Sequence, residues 1–191
     1  MTDSIENNQQ PAAENKPEPK KFSWKRLWKE WILPFGAEII VLWLLVRFVF
    51  FLPIIPTGSM EPTIREHSLL FAWRVNDVET LERGDIVVFD SEEIGKNLIK
   101  RLIGLPGDTV VIGEDGSLTI NGEAYPEDYV VNQMALPGEY HVPEGCYLFF
   151  GDNRANSLDA RYWNNSYIPA ENISGRAVFT LFPFSNFGKL E

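Results

Sequence analysis

The spacing of apolar and polar positions divides the 191-residue chain into three unlike stretches. Residues 1–20 are rich in Asn, Gln, Pro, Glu and Lys and nearly free of large apolar side chains. Nothing there offsets the entropy of ordering, so a disordered tail is expected. Basic and aromatic residues then mix in KKFSWKRLWKEW, a composition suited to a membrane interface, and residues 1–30 together read as a cytoplasmic tail. From Trp31 to Leu52 run twenty-two mostly apolar residues, which at helical rise cover a hydrocarbon core of about 30 Å. Residues 31–52 are therefore predicted to be a transmembrane anchor. Glu38 and Arg47 interrupt it on opposite helix faces, and of the two only Arg47 is placed to snorkel outward.

Beyond residue 53 the period shortens to runs of β-branched and aromatic residues between turn residues. Strands are predicted at Ser68–Val75, Asp85–Asp90, Leu98–Gly104, Thr109–Gly113, Ser117–Ile120, Cys146–Phe150 and Arg176–Phe182. Asp115-Gly116 between two of these runs, and Asn121-Gly122 after the second, carry hairpin chemistry. The expected fold is mainly β: a coiled antiparallel sheet or open barrel over residues 53–191, with an inserted hairpin region near 109–140, preceded by one N-terminal transmembrane helix. With cations before the span and few after it, this domain belongs on the outer side of a plasma membrane or of an internal, thylakoid-type membrane.

Charge narrows the function. Residues 53–191 hold ten Lys/Arg against twenty-one Asp/Glu, so the domain lacks the basic face that nucleic acid needs. Cys146 is the only cysteine, which excludes an internal disulfide, and it reads as a small buried apolar residue. Trp73, Trp163, Phe182, Phe184 and Phe187 are open to two readings, an apolar patch resting on the bilayer or core, with core expected for most.

Familiar hydrolase patterns are missing. There is no HExxH, GxSxG or SxxK, and His67 and His141 lack the clustering of a metal site, so no metal or cofactor is expected. Three polar segments stand out instead. In PTGSMEPT (56–63), Ser59 lies between Gly58 and an extended Met60-Glu61-Pro62 stretch, and Thr57 can aim its hydroxyl beside the Ser59 N–H where an oxyanion would form. Taken alone, that octet reads more readily as a surface turn. In NLIKRLIGLPGD (97–108), strand alternation puts Lys100 on the face of Leu98 and Leu102, and Arg101 on the other. A lysine among apolar neighbours loses solvation, so its pKa falls toward that of a useful base. An edge-strand lysine is the plainer alternative. GDNRANSLDAR (151–161) crowds Asp152, Asn153, Arg154, Asn156, Ser157, Asp159 and Arg161 into one loop. That loop reads as an ordering network or as a solvated or cation-binding turn, without the ligand order of an EF-hand.

In this order the three segments resemble the type I signal peptidases, the leader peptidases of the serine/lysine class, and RGDIVVF at 83–89 is similar to a strand segment of that family. The resemblance covers about Phe48 to Gly188. It implies Ser59 as nucleophile, Lys100 as general base, Ser157 as the residue orienting the Lys100 amine and Thr57 as side-chain oxyanion donor. It further implies an Asp159–Arg161 ion pair supporting the site, and Met60 lining the pocket beside the nucleophile. Thr57 stands where the family usually has Ser, keeping the hydroxyl, and Ala160 replaces a frequent serine. The implied activity is removal of signal peptides from exported preproteins, cut after small residues at the first and third positions before the bond. The implied partners are those preproteins, emerging from the translocation machinery, and the lipid bilayer. Two rivals remain: a non-catalytic membrane-tethered β domain that binds peptides, and a self-cleaving serine/lysine repressor. The first gives no reason for Ser59, Lys100 and Ser157 to occur together, and the second is soluble.

Overall fold

A computed structural model describes residues 24–190. The tail expected over residues 1–20 lies outside the described residues. The chain forms two compact units that divide between Val41 and Leu42.

The apolar helix runs Trp28–Phe48. It opens with a π-turn, Trp28–Ile32, and continues as the α-helix Leu33–Phe48. Pro34 explains the wider turn, because it has no N–H to return to the preceding turn. With the α-helical turn Trp24–Leu27 directly before it, the helical stretch starts seven residues earlier than the sequence pattern suggests, and it ends sooner. Phe50–Phe51, placed in the anchor by hydropathy alone, is instead the first strand, β1, paired with β2.

The rest is built of antiparallel sheet: β2 (Leu69–Arg74), β3 (Ile86–Ser91), β4 (Lys96–Gly104), β5 (Thr109–Ile112), β6 (Leu118–Ile120), β7 (Glu123–Ala124), β8 (Gly138–His141), β9 (Cys146–Phe150), β10 (Tyr167–Pro169), β11 (Ile173–Phe182) and β12 (Gly188–Lys189). Eight strands make one open sheet in the order β1-β2-β11-β3-β4-β9-β10, with β12 beside β11. The order β7-β6-β5-β8 makes a second, smaller sheet. This second sheet is the inserted hairpin region, and Gly116 turns its first hairpin with a φ of 82°. No barrel closes among the described residues.

The two faces of β3 and β4 bury different clusters. Val87, Phe89 and Leu102 join Phe149, Phe150 and Trp163 in the larger core. Ile86, Val88 and Ile99 join Ile55, Met60, Ile64 and Leu70 in the smaller one. Cys146 is half-buried at the start of β9 and packs against the larger core. The expectation that most of the five aromatics are core is wrong: only Trp163 is buried, while Trp73, Phe182, Phe184 and Phe187 are exposed. Trp73 lies on β2, Phe182 ends β11, and Phe184 and Phe187 follow in the link to β12.

Candidate active site

Ser59 is held from below and from the side. After Ile55, which exchanges backbone hydrogen bonds with His67 and Ser68, the chain turns over Gly58. Met60 and Ile64, both fully buried, anchor the turn in the smaller core. From across the molecule the Asn153 backbone N–H donates to the Ser59 carbonyl (3.1 Å), and the Asn153 amide donates to the Gly58 carbonyl (3.0 Å). Gly151 makes this approach possible: an added Cβ there would lie 2.5 Å from the Ser59 carbonyl oxygen and 2.2 Å from Ser157 Oγ.

Lys100 sits on β4 opposite Val87, on the face it shares with Leu98 and Leu102. It is only 3% exposed. Its Nζ lies 2.5 Å from Ser59 Oγ and donates to it. Burial pulls the amine down from 10.5 to about 8, opposed by the nearby Asp159 and Asp152 carboxylates and reinforced by Arg161. The sequence argument that apolar neighbours depress this lysine therefore holds in three dimensions.

A buried ionic network surrounds the pair. Asp152 accepts from Arg101 Nε (2.9 Å) and Nη2 (2.6 Å) and from Thr63 Oγ1 (2.6 Å), tying β4 to the turn after Ser59. Asp159 pairs with Arg161 at 2.8 Å and accepts the Gly151 N–H at 2.9 Å. The Asp159–Arg161 pair is thus formed as the resemblance implies. Thr57 is exposed and lines the same groove as Ser59 and Lys100. Ser157 is buried against Gly151, but its hydroxyl has no hydrogen-bond partner among the described residues, so the bond to Lys100 that the resemblance implies is not drawn. Met60 is fully buried in the cluster it shares with Ile55, Val88 and Ile99, which line the groove; it lies beneath that wall. His67 and His141 are both exposed, and His141 faces Thr109 and Glu139.

Beside Ser59 and Lys100 runs a groove of about 270 Å³, walled by residues 53–57 on one side and 96–100 on the other. Ile55 spends its backbone groups on Ser68 and His67, and the Pro53 carbonyl accepts from Leu70. By alternation the Ile54 N–H and C=O face the groove, as does the backbone of Pro56, which has no N–H to offer. On the far wall Leu102 bonds toward Asp85, so Asn97 and Ile99 turn their backbone groups outward, and β9 pairs with β4 only from Arg101 onward. The groove lies between residues 53–57 and the part of β4 that precedes its pairing with β9.

A family model described as signal peptidase, peptidase S26, matches residues 28–182. The chain belongs to this family. Among its relatives, signal peptidase I of Bacillus licheniformis is 36% identical over 187 residues, covering 91% of this chain and 99% of the relative. Probable signal peptidase I-2 of Synechocystis is 34% identical over 194 residues, covering 97% and 85%. Signal peptidase I T of Bacillus subtilis is 37% identical over 169 residues, covering 80% and 86%. A crystal structure of a signal peptidase I from Enterococcus faecalis is 33% identical, with a TM-score of 0.45, and covers 52% of this chain and 98% of that one. Membership in the signal peptidase family makes the chain a serine peptidase. The apolar helix Trp28–Phe48 fits a membrane-anchored one.

Among residues without an assigned role at the sequence level, Arg101, Asp152 and Asn153 matter most to this geometry. Crowding in 151–161 marked the loop but not which side chains reach Ser59, because their partners lie about ninety positions away. Glu127 and Tyr129, which contact the same network from residues 125–137, carry no local signal at all.

Proposed function

We propose that this chain removes N-terminal signal peptides from exported preproteins, with Ser59 as nucleophile and Lys100 as general base. The reading rests on one observation: a lysine amine, 3% exposed, 2.5 Å from a serine hydroxyl. Once neutral, the amine accepts the Ser59 proton as Oγ attacks the scissile carbonyl. The Thr57 hydroxyl and the Ser59 N–H stabilise the oxyanion. The Lys100 ammonium then protonates the departing amine of the mature chain, leaving the signal peptide as an ester on Ser59. Water, deprotonated by Lys100, cleaves that ester. Ser157, buried beside Gly151 with an unpartnered hydroxyl, is the candidate for orienting the Lys100 amine, and the Asp159–Arg161 pair supports the loop.

The groove between these two segments supports substrate binding as an added β-strand. Ile55 and Ile99 leave shallow apolar space, which favours small residues at the first and third positions before the bond. Such a cleavage region must be extended while its apolar stretch stays in the bilayer. Residues 53–191 then lie on the outer side, with residues 1–30 cytoplasmic, as the Lys/Arg bias before the helix favours. The exposed Trp73, Phe182, Phe184 and Phe187 are suited to rest on the lipid beside the groove, which makes activity depend on lipid or detergent.

The test is cleavage of a preprotein by purified protein in detergent. Ser59→Ala and Lys100→Ala should keep the fold and lose cleavage, and a fully active Lys100→Ala protein overturns the assignment. Protease protection in sealed vesicles reads the orientation separately.

A further inference from the structure

Residues 125–137 link β7 to β8 without forming a strand or helix of their own. This strap contacts the residues that support the reactive pair. The Tyr129 ring lies on the Arg101 guanidinium, 3.9 Å from its carbon to the ring centroid, and the Tyr129 hydroxyl donates to Glu127 (2.7 Å). Glu127 in turn receives two guanidinium bonds from Arg154, one of them 2.7 Å, and both partners are buried. Asn132 accepts the Ala155 N–H through its carbonyl and donates from its amide to Asn153 (3.0 Å). At its far end the strap is fixed by Gln133, which donates to the Gly116 carbonyl (2.7 Å).

Each cation so held touches the reactive pair's support. Arg101 follows Lys100 on β4 and binds Asp152, which also binds Thr63 after Ser59. Arg154 Nε donates to the carbonyl of Gly151 (3.0 Å), the residue packed on Ser59 and Ser157. The Tyr129 ring is also part of the wall of a cavity of about 510 Å³ that Arg101 lines on the face of β4 opposite Lys100. Without the ring, water in that cavity reaches the buried Arg101–Asp152 pair, which then needs less of its fixed geometry.

We infer that Tyr129 and Glu127 are positioning residues for the Ser59–Lys100 pair, acting through Arg101 and Arg154. The inference rests on the peptidase reading above. Because the strap lies away from the groove, its loss changes turnover and not substrate affinity. The charged groups near the Lys100 amine are Asp152, Asp159 and Arg161. A hydrated, loosened Arg101–Asp152 pair lets more water to the amine, so the proton leaves at higher pH.

Steady-state cleavage of a preprotein by the full chain in detergent is measured from pH 6 to 10, alongside thermal unfolding, for Tyr129→Leu, Tyr129→Phe and Glu127→Gln. Tyr129→Leu and Glu127→Gln should lower kcat about tenfold with KM unchanged, and move the rising limb of the pH profile upward. Tyr129→Phe, which keeps the stacked face, should restore most of the rate. If Tyr129→Leu does not fold, Tyr129→Met is read in its place. Unchanged turnover, a change confined to KM, a rate loss with the limb unmoved, or a Tyr129→Phe protein as slow as the Leu variant would each overturn the inference. Acetylation of Ser59 by p-nitrophenyl acetate, followed by mass spectrometry over the same pH range, keeps the two readings apart. A wild-type protein that is acetylated but cuts no preprotein refutes the substrate while still reporting on the strap.

Discussion

In the proposed mechanism a buried lysine ties catalysis and stability to the same proton. In the unfolded chain the Lys100 amine keeps its ordinary value of 10.5, whereas in the fold it titrates at about 8. Below pH 8 both states are protonated and the cost of burying the charge is fully present. Between about 8 and 10.5 the unfolded chain binds the extra proton, so stability rises with pH across that window. Activity should climb along the same titration, its rising limb centred near pH 8 when acylation is followed. Lys100→Met should abolish cleavage yet stabilise the protein at pH 7, by on the order of 3 kcal/mol, and flatten the rise in stability above pH 8; denaturation midpoints across pH measure both. Thr57→Val should leave the fold unchanged and slow acylation by ~10²-fold to 10³-fold, with little change in KM. That Ser59 and Lys100 lie together could be anticipated because few side-chain pairs suit the proposed chemistry. The pins that aim them, Asn153 on Ser59 and Thr63 on Asp152, could not, since hydrogen bonds between distant segments leave no spacing in the chain.

Glycines show at the scale of elements how closely the strands and turns approach. In β11 an added Cβ at Gly175 would lie 2.3 Å from the Trp73 carbonyl oxygen on β2 and 2.5 Å from a Phe51 ring carbon on β1. Gly175→Ala should therefore destabilise the domain by about 1–3 kcal/mol, seen as a lower Tm, while the surviving folded fraction keeps its pH profile. Gly151→Ala acts elsewhere: it should leave the sheet standing and displace the Ser59 carbonyl and Ser157, so that activity falls far more than stability. Strands long enough to show alternation, such as β4 and β9, were legible within a residue or two. β1, β7, β10 and β12 span only two or three residues each, too few for any period, and β8 lies mostly open to solvent. The end of the apolar helix was misjudged for a related reason. Phe50 and Phe51 are as hydrophobic in a strand against β2 as in a membrane helix, and hydropathy does not separate the two.

For the molecule as a whole, the sequence changes period near residue 53, whereas the helix ends at Phe48 and the two units divide between Val41 and Leu42. The sheet order was not legible, because β11 pairs with β2 across about a hundred residues and no local pattern encodes that partner. The helix Trp28–Phe48 should retain the full chain in the membrane fraction through an alkaline carbonate wash; release into the supernatant would show a peripheral protein. The groove has a consequence for behaviour between encounters. Two facing strand edges would ordinarily offer a template on which neighbouring copies could zip together. Pro56 strips an amide donor from one of those edges, removing a rung from any ladder of like molecules.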